Sequence, residues 1–126
     1  MSGSGRFVLD TNAVVSLLAG NRILAELLES ADYVGVSIIS HLEFLAFEGL
    51  SDSDRHCFAS FCKRIDIVPL VHEDSTLIQK ALDLRRKHRL KLPDAIIGAT
   101  ALCRNATLIT NDTHFTNIET LSIQGC

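Results

Sequence analysis

At 126 residues, with 47% hydrophobic and 21% charged side chains, the chain has the size and composition of one soluble globular domain. A net charge of −3 excludes tight, nonspecific binding of polyanions through bulk electrostatics, while leaving a local binding site open. No apolar run reaches the roughly 18 residues of a membrane span, and no repeat or secretory signal is present, so a cytoplasmic protein without a membrane partner is expected.

Met1-Ser2-Gly3-Ser4-Gly5 reads as a flexible leader or a cloning remnant, which leaves residues 6–126 as a single domain. Arg6 to Leu9 is a short buried strand ending at Asp10. Two helical pieces follow, Asn12 to Leu18 and Asn21 to Ser30, separated by Ala19-Gly20; Ile23, Leu24, Leu27 and Leu28 give the second an amphipathic stripe. Tyr33 to Ser37 is a second strand, and Ile38 to Glu48 a helix ending at Gly49. Ser51-x-x-Asp54 has the pattern of a capping box and opens a helix running to Arg64. Phe58, Phe61 and Cys62 lie on one face of it, suited to the core or to a partner.

Asp66 to Leu70 is a third strand, with Pro69 indicating a sheet edge or a strand end. Asp74 to His88 is helical by the spacing of Leu77, Ile78, Ala81, Leu82 and Leu84. Pro93 starts a helix to about Cys103 that is apolar nearly all round and therefore buried. Ala106 to Thr110 and Thr120 to Ile123 are the last strands. Alternating strands and helices predict an α/β fold with a mainly parallel sheet, whose ligand crevice lies beyond the strand C-terminal ends.

Four acidic residues meet that condition. Asp10 follows the first strand, Asp112 follows the Ala106 to Thr110 strand, and Asp94 sits in the first turn of the buried helix. Glu43 shares an apolar stripe with Ile39, Ala46 and Leu50, where a carboxylate is unexpected. Singly, each aspartate also reads as a helix cap, an Asx-turn or a complement to a helix dipole, and Glu43 as a surface residue. Together they conflict. Two carboxylates about 4 Å apart repel by about 4 kcal/mol at an effective dielectric near 20, so a cluster holds protons or binds a cation. Carboxylate oxygens without accompanying His or Cys ligands suit Mg²⁺ or Mn²⁺, one ion or two, and paired ions of this kind serve phosphodiester cleavage.

The order "VLDTNAVVSL", "SIISHLEFL", "LPDAIIGATAL", "LITNDTHF" resembles PIN-domain ribonucleases of the VapC-like toxin type, over Phe7 to about Ile123. The resemblance implies a three-layer α/β/α PIN-like fold and a metal-dependent endoribonuclease. It also implies a homodimer held inactive by a cognate antitoxin protein. The family's acidic positions fall on Asp10, Glu43, Asp94 and Asp112, as catalytic residues and metal ligands. Thr11, Asn12 and Thr110 match its small polar positions, where they would orient carboxylates or water.

Other features carry less. The basic run Arg85 to Lys91 reads either as a solvated helix end favoured by its dipole or, through Arg86 and Lys91, as a phosphate contact for RNA. The five histidines lack metal-ligand spacing and read as surface or loop residues; the four cysteines lack paired spacing and read as reduced thiols. A phosphotransfer domain using the strand-end aspartate fits poorly, because Asn12 stands where a dehalogenase-like D-x-D needs a second aspartate. Thr110-Asn111-Asp112 likewise stands where a receiver domain needs a lysine. A PIN nuclease of RNA maturation or turnover without an antitoxin, and a non-catalytic PIN-like interaction module, are the alternatives.

Overall fold

The computed structural model describes residues 5–126; the leader Met1 to Gly5 lies outside them apart from its last glycine. Five strands form one parallel sheet in the order β3-β2-β1-β4-β5: β1 Arg6–Leu9, β2 Tyr33–Ser37, β3 Asp66–Val68, β4 Thr107–Ile109 and β5 Ile123–Gln124. Six helices connect them: α1 Thr11–Leu18, α2 Arg22–Glu29, α3 Ile38–Leu45, α4 Asp52–Cys62, α5 Ser75–His88 and α6 Leu92–Cys103.

Strand alternation divides the core in two, since successive side chains point to opposite faces of a sheet. Phe7, Leu9, Val36 and Ile109 pack with Ala13, Val14, Leu24, Phe44, Phe58 and Phe61 from α1 to α4. Val8 and Leu108 pack on the other face with Leu77, Ala81 and Leu84 of α5 and Ile97 and Ala101 of α6. This is the three-layer α/β/α arrangement. Helix α6 is buried from Ala95 to Ala101, as its all-round apolar sequence requires, and Gly98 lets it approach α5: a methyl there would lie 3.0 Å from Leu84 Cδ1.

Local signals behave as their chemistry dictates. Ser51 and Asp54 form a reciprocal capping box at α4, and Gly20 takes φ +102°, a left-handed conformation that separates α1 from α2. Edge strand β3 stops at Val68, immediately before Pro69.

Three expectations are corrected. Helix α3 ends at Leu45, not Glu48: the Phe47 N–H already bonds in the tighter i−3 manner to the Phe44 carbonyl, and Gly49 adopts φ +79°. Its buried face is Ser40 and Phe44, so Ile39, Glu43, Ala46 and Leu50 do not form the inward stripe. The last strand begins at Ile123, because Leu121 is drawn into the core and its N–H closes a turn on Ile118.

Candidate active site

Strand order places the site. The chain leaves β1 toward β2 and later returns to β4 on the other side of β1, so a crevice opens at the C-terminal ends of β1 and β4. Asp10 stands there. Its N–H donates to the Ile109 carbonyl at 3.1 Å, as the last rung between the two strands. Extended at φ −75° and ψ 176°, it is also the N-cap of α1, and its Oδ1 accepts the Ala13 N–H at 2.8 Å. The capping reading is therefore correct, but incomplete.

Asp10 is only 6% exposed. Burial pushes its carboxyl above the usual aspartate range, and the charges of Asp112 and Glu43 push it further; the neighbouring Thr110 hydroxyl and the Ala13 N–H pull the other way. Asp94, in the first turn of α6, is raised by burial, then by Asp112 and Glu43, with His114 and Lys91 opposing. Asp10 and Asp94 thus both feel the charges of Asp112 and Glu43 at this crevice.

Each is set there by a different element. Glu43 is exposed on α3 and reaches the crevice because the Thr11 hydroxyl donates to its Oε1 at 2.5 Å. Asp112 follows β4: its N–H donates to the Thr110 hydroxyl at 3.0 Å, and its Oδ1 accepts the His114 N–H at 2.8 Å. Asp10, Thr11, Asn12, Glu43, Phe47, Asp94, Ile97 and Asp112 line one hollow of about 230 Å³.

All four predicted acids are thus brought together, with Thr11 and Asn12 beside them and Thr110 buried beneath. Lys91, N-cap of α6, bears electrostatically on Asp94. Arg86 is not part of the hollow; it lines a separate shallow depression with Arg85, Arg89 and Leu90. Three further residues in or beside the site lie outside the predicted set, two of them, Asn111 and His114, within the LITNDTHF stretch. Phe47, which the sequence pattern places inside a helix, closes one wall. Asn111 clamps the chain end, its Nδ2 donating to the Cys126 carbonyl at 3.0 Å and its Oδ1 accepting the Cys126 N–H at 2.9 Å. His114 pairs with Asp112, a pairing that the D-x-H spacing after a strand is able to signal.

Among the described residues, no three carboxylate, imidazole or thiolate groups are close enough as placed to enclose one metal ion. The donor set nonetheless suits a hard, hydrated cation. Mg²⁺ keeps several waters and needs only one or two carboxylates from the protein, and the hollow offers carboxylate oxygens from four segments.

The sequence profile of the PIN domain matches residues 7–121. The chain belongs to the PIN-domain family. Solved structures share this fold. A toxin–antitoxin complex from Klebsiella pneumoniae contains a chain 26% identical, with a TM-score of 0.74, over 90% of this chain and 93% of that one. VapBC2 from Rickettsia felis, bound to a DNA fragment from its promoter, matches at 19% identity and TM-score 0.80 over 96% and 98%. VapBC-1 from nontypeable Haemophilus influenzae matches at 21% and 0.74 over 95% and 97%. No protein of curated function matches the chain significantly. Membership of the PIN-domain family implies a nuclease, a hydrolase of phosphodiester bonds. Among the described residues no helix is long and apolar enough to cross a membrane.

Proposed function

We propose that this PIN domain is a metal-dependent endoribonuclease and the toxin of a toxin–antitoxin pair. One observation carries the reading: carboxylates from after β1, from α3, from α6 and from after β4 line a single hollow at the strand C-terminal ends. Asp10, Glu43, Asp94 and Asp112 would hold one or two Mg²⁺ or Mn²⁺ ions. Such ions supply, when bound, an activated water and stabilisation of the leaving oxygen. Burial and mutual repulsion raise Asp10 and Asp94, so cation binding offsets a charge the fold otherwise holds at a cost.

The chain's own residues do the positioning. Asp10 is fixed from two directions, by the β1–β4 rung and by its cap on α1. Thr11 holds Glu43, and Thr110 holds the Asp112 backbone. An RNA backbone entering beside Lys91 would gain a positive contact next to the acids, and the run to Arg86 would extend that contact along the strand.

The solved toxin–antitoxin complexes that this fold resembles support an antitoxin partner. A groove of about 670 Å³ lined by Leu17, Leu18, Leu28, Val34, Phe61 and Ile65 supplies apolar surface for one. A homodimer, as the family resemblance implies, and a cytoplasmic location complete the reading. The test is cleavage of a mixed RNA pool with Mn²⁺ present, by the wild-type chain and by Asp10→Asn and Asp94→Asn. Loss of cleavage in both folded variants is expected. Cleavage retained in both would reject the mechanism, and an inactive wild type that binds protein partners would favour the interaction module.

A further inference from the structure

The Asp112 carboxylate is held unequally. Its Oδ1 accepts two hydrogen bonds from one residue, the His114 backbone N–H at 2.8 Å and the His114 ring Nδ1 at 2.7 Å. An ionised carboxylate only accepts, so Nδ1 carries the hydrogen of the second bond. Among the described residues the other oxygen, Oδ2, has no hydrogen-bond partner, and Asp112 lines the acidic hollow.

The backbone under this pair is fixed. Thr113–Phe115 forms a 3₁₀ turn capped by Asp112, and Phe115, only 1% exposed, anchors it in the core beneath α6. The Thr116 hydroxyl closes the turn by donating to the Thr113 carbonyl at 2.8 Å. The His114 ring itself is three-quarters exposed. An exposed hydrogen bond adds little to stability; its effect is directional. Two donors on Oδ1 restrict rotation of the carboxylate and leave Oδ2 as the oxygen free to face the hollow.

We propose that His114 is a positioning residue of the metal site, acting through Asp112 by way of its Nδ1. The inference rests on the nuclease reading above and adds to it a residue outside the acidic set.

The test is Mn²⁺ affinity by titration calorimetry without RNA, on the wild-type chain and on His114→Ala, His114→Asn and His114→Gln. An asparagine amide nitrogen stands near the position of Nδ1, and a glutamine nitrogen near that of Nε2. His114→Ala should weaken Mn²⁺ binding about 10-fold, the lower end of what loss of a ligand's supporting partner costs. His114→Asn should restore most of it and His114→Gln little. In an Asp112→Ala background, His114→Ala should add no further loss, because the two act as one unit. Unchanged affinity in His114→Ala, or rescue by glutamine in place of asparagine, overturns the proposal alone. A wild-type chain that binds no Mn²⁺ overturns the nuclease reading and this inference with it.

Discussion

The Thr11 hydroxyl donates to Glu43 Oε1 at 2.5 Å, joining the first turn of α1 to the outer face of α3 across the mouth of the acidic hollow. Glu43 is exposed, so no packing holds it over the site. The hydroxyl does. Thr11→Val keeps the shape of the side chain and removes the donor. RNA cleavage by this variant should fall about 10-fold, as for other residues that orient a ligand. Its melting temperature should stay within a degree or two of wild type, because an exposed hydrogen bond contributes little. A Thr11→Ser variant retains the donor and should cleave near the wild-type rate; equal loss in both variants would contradict the tether.

Asp10 combines a cap with a strained charge, and substitutions separate the two. Asparagine caps as well as aspartate does, so Asp10→Asn should keep the fold and lose cleavage. Since burial raises the Asp10 carboxyl, removing the charge should leave stability at neutral pH equal or higher. Asp10→Ala also loses the bond to the Ala13 N–H and should be destabilised by about 1 kcal/mol. Chemical denaturation of the three chains measures the difference.

The same groups set a pH dependence. Asp10 and Asp94 both lie above the ordinary aspartate value in the fold. Between the unfolded and folded values the folded state binds more protons. The contribution of these groups is therefore fully present below the unfolded value and lost as pH rises through the folded one. Mn²⁺ competes for the same oxygens, so its stabilisation of the fold should grow with pH across that window. Thermal melts with and without Mn²⁺ at stepped pH check the sign; a metal effect that shrinks as pH rises would contradict it.

Lys91 and Arg86 should differ in degree. Lys91 holds the N-cap position of α6, three residues before Asp94, and its charge opposes the upward push on the Asp94 carboxyl, while Arg86 lines a depression with Arg85 and Arg89. Each alanine variant should weaken RNA binding and reduce the magnitude of the salt slope by about one for every phosphate left without its cation. Only Lys91→Ala should also shift the pH profile of cleavage upward, through Asp94. Filter binding at several salt concentrations, with cleavage at stepped pH, measures both.

At the opposite end of the sheet the Tyr33 hydroxyl donates to Asp66 Oδ2 at 2.5 Å, under the Arg6 guanidinium, which lies 4.4 Å from the ring centroid. Burial and this bond push the Tyr33 phenol up to about 12. Tyr33→Phe should cost about 1 kcal/mol, a charged hydrogen bond discounted for its partial exposure. Mn²⁺ affinity should not change, since the cluster is remote from the strand C-terminal ends. A shift in metal affinity would show that the two ends of the sheet are coupled.

Much of the fold is legible residue by residue. The strand Tyr33–Ser37 and the capping box at Ser51 and Asp54 follow from local pattern and appear as expected. Asp10, Glu43, Asp94 and Asp112 each stand out by position relative to a strand or helix, and they line one hollow. For Glu43 the stripe that singles it out is misphased: the inward residues of α3 are Ser40 and Phe44. Its place depends on Thr11, 32 residues away in sequence, which no helical periodicity can report.

Strand and helix alternation, the aspartates after β1, after β4 and in the first turn of α6, and the order of the family motifs are all readable along the chain, because each rests on local residue pattern or on linear order. Which atoms meet is settled on folding. The order β3-β2-β1-β4-β5 puts Asp10 against Ile109, burial raises Asp10, and a core-anchored turn gives Asp112 the His114 ring. Each depends on desolvation or on the meeting of distant segments, neither of which exists until the chain has folded.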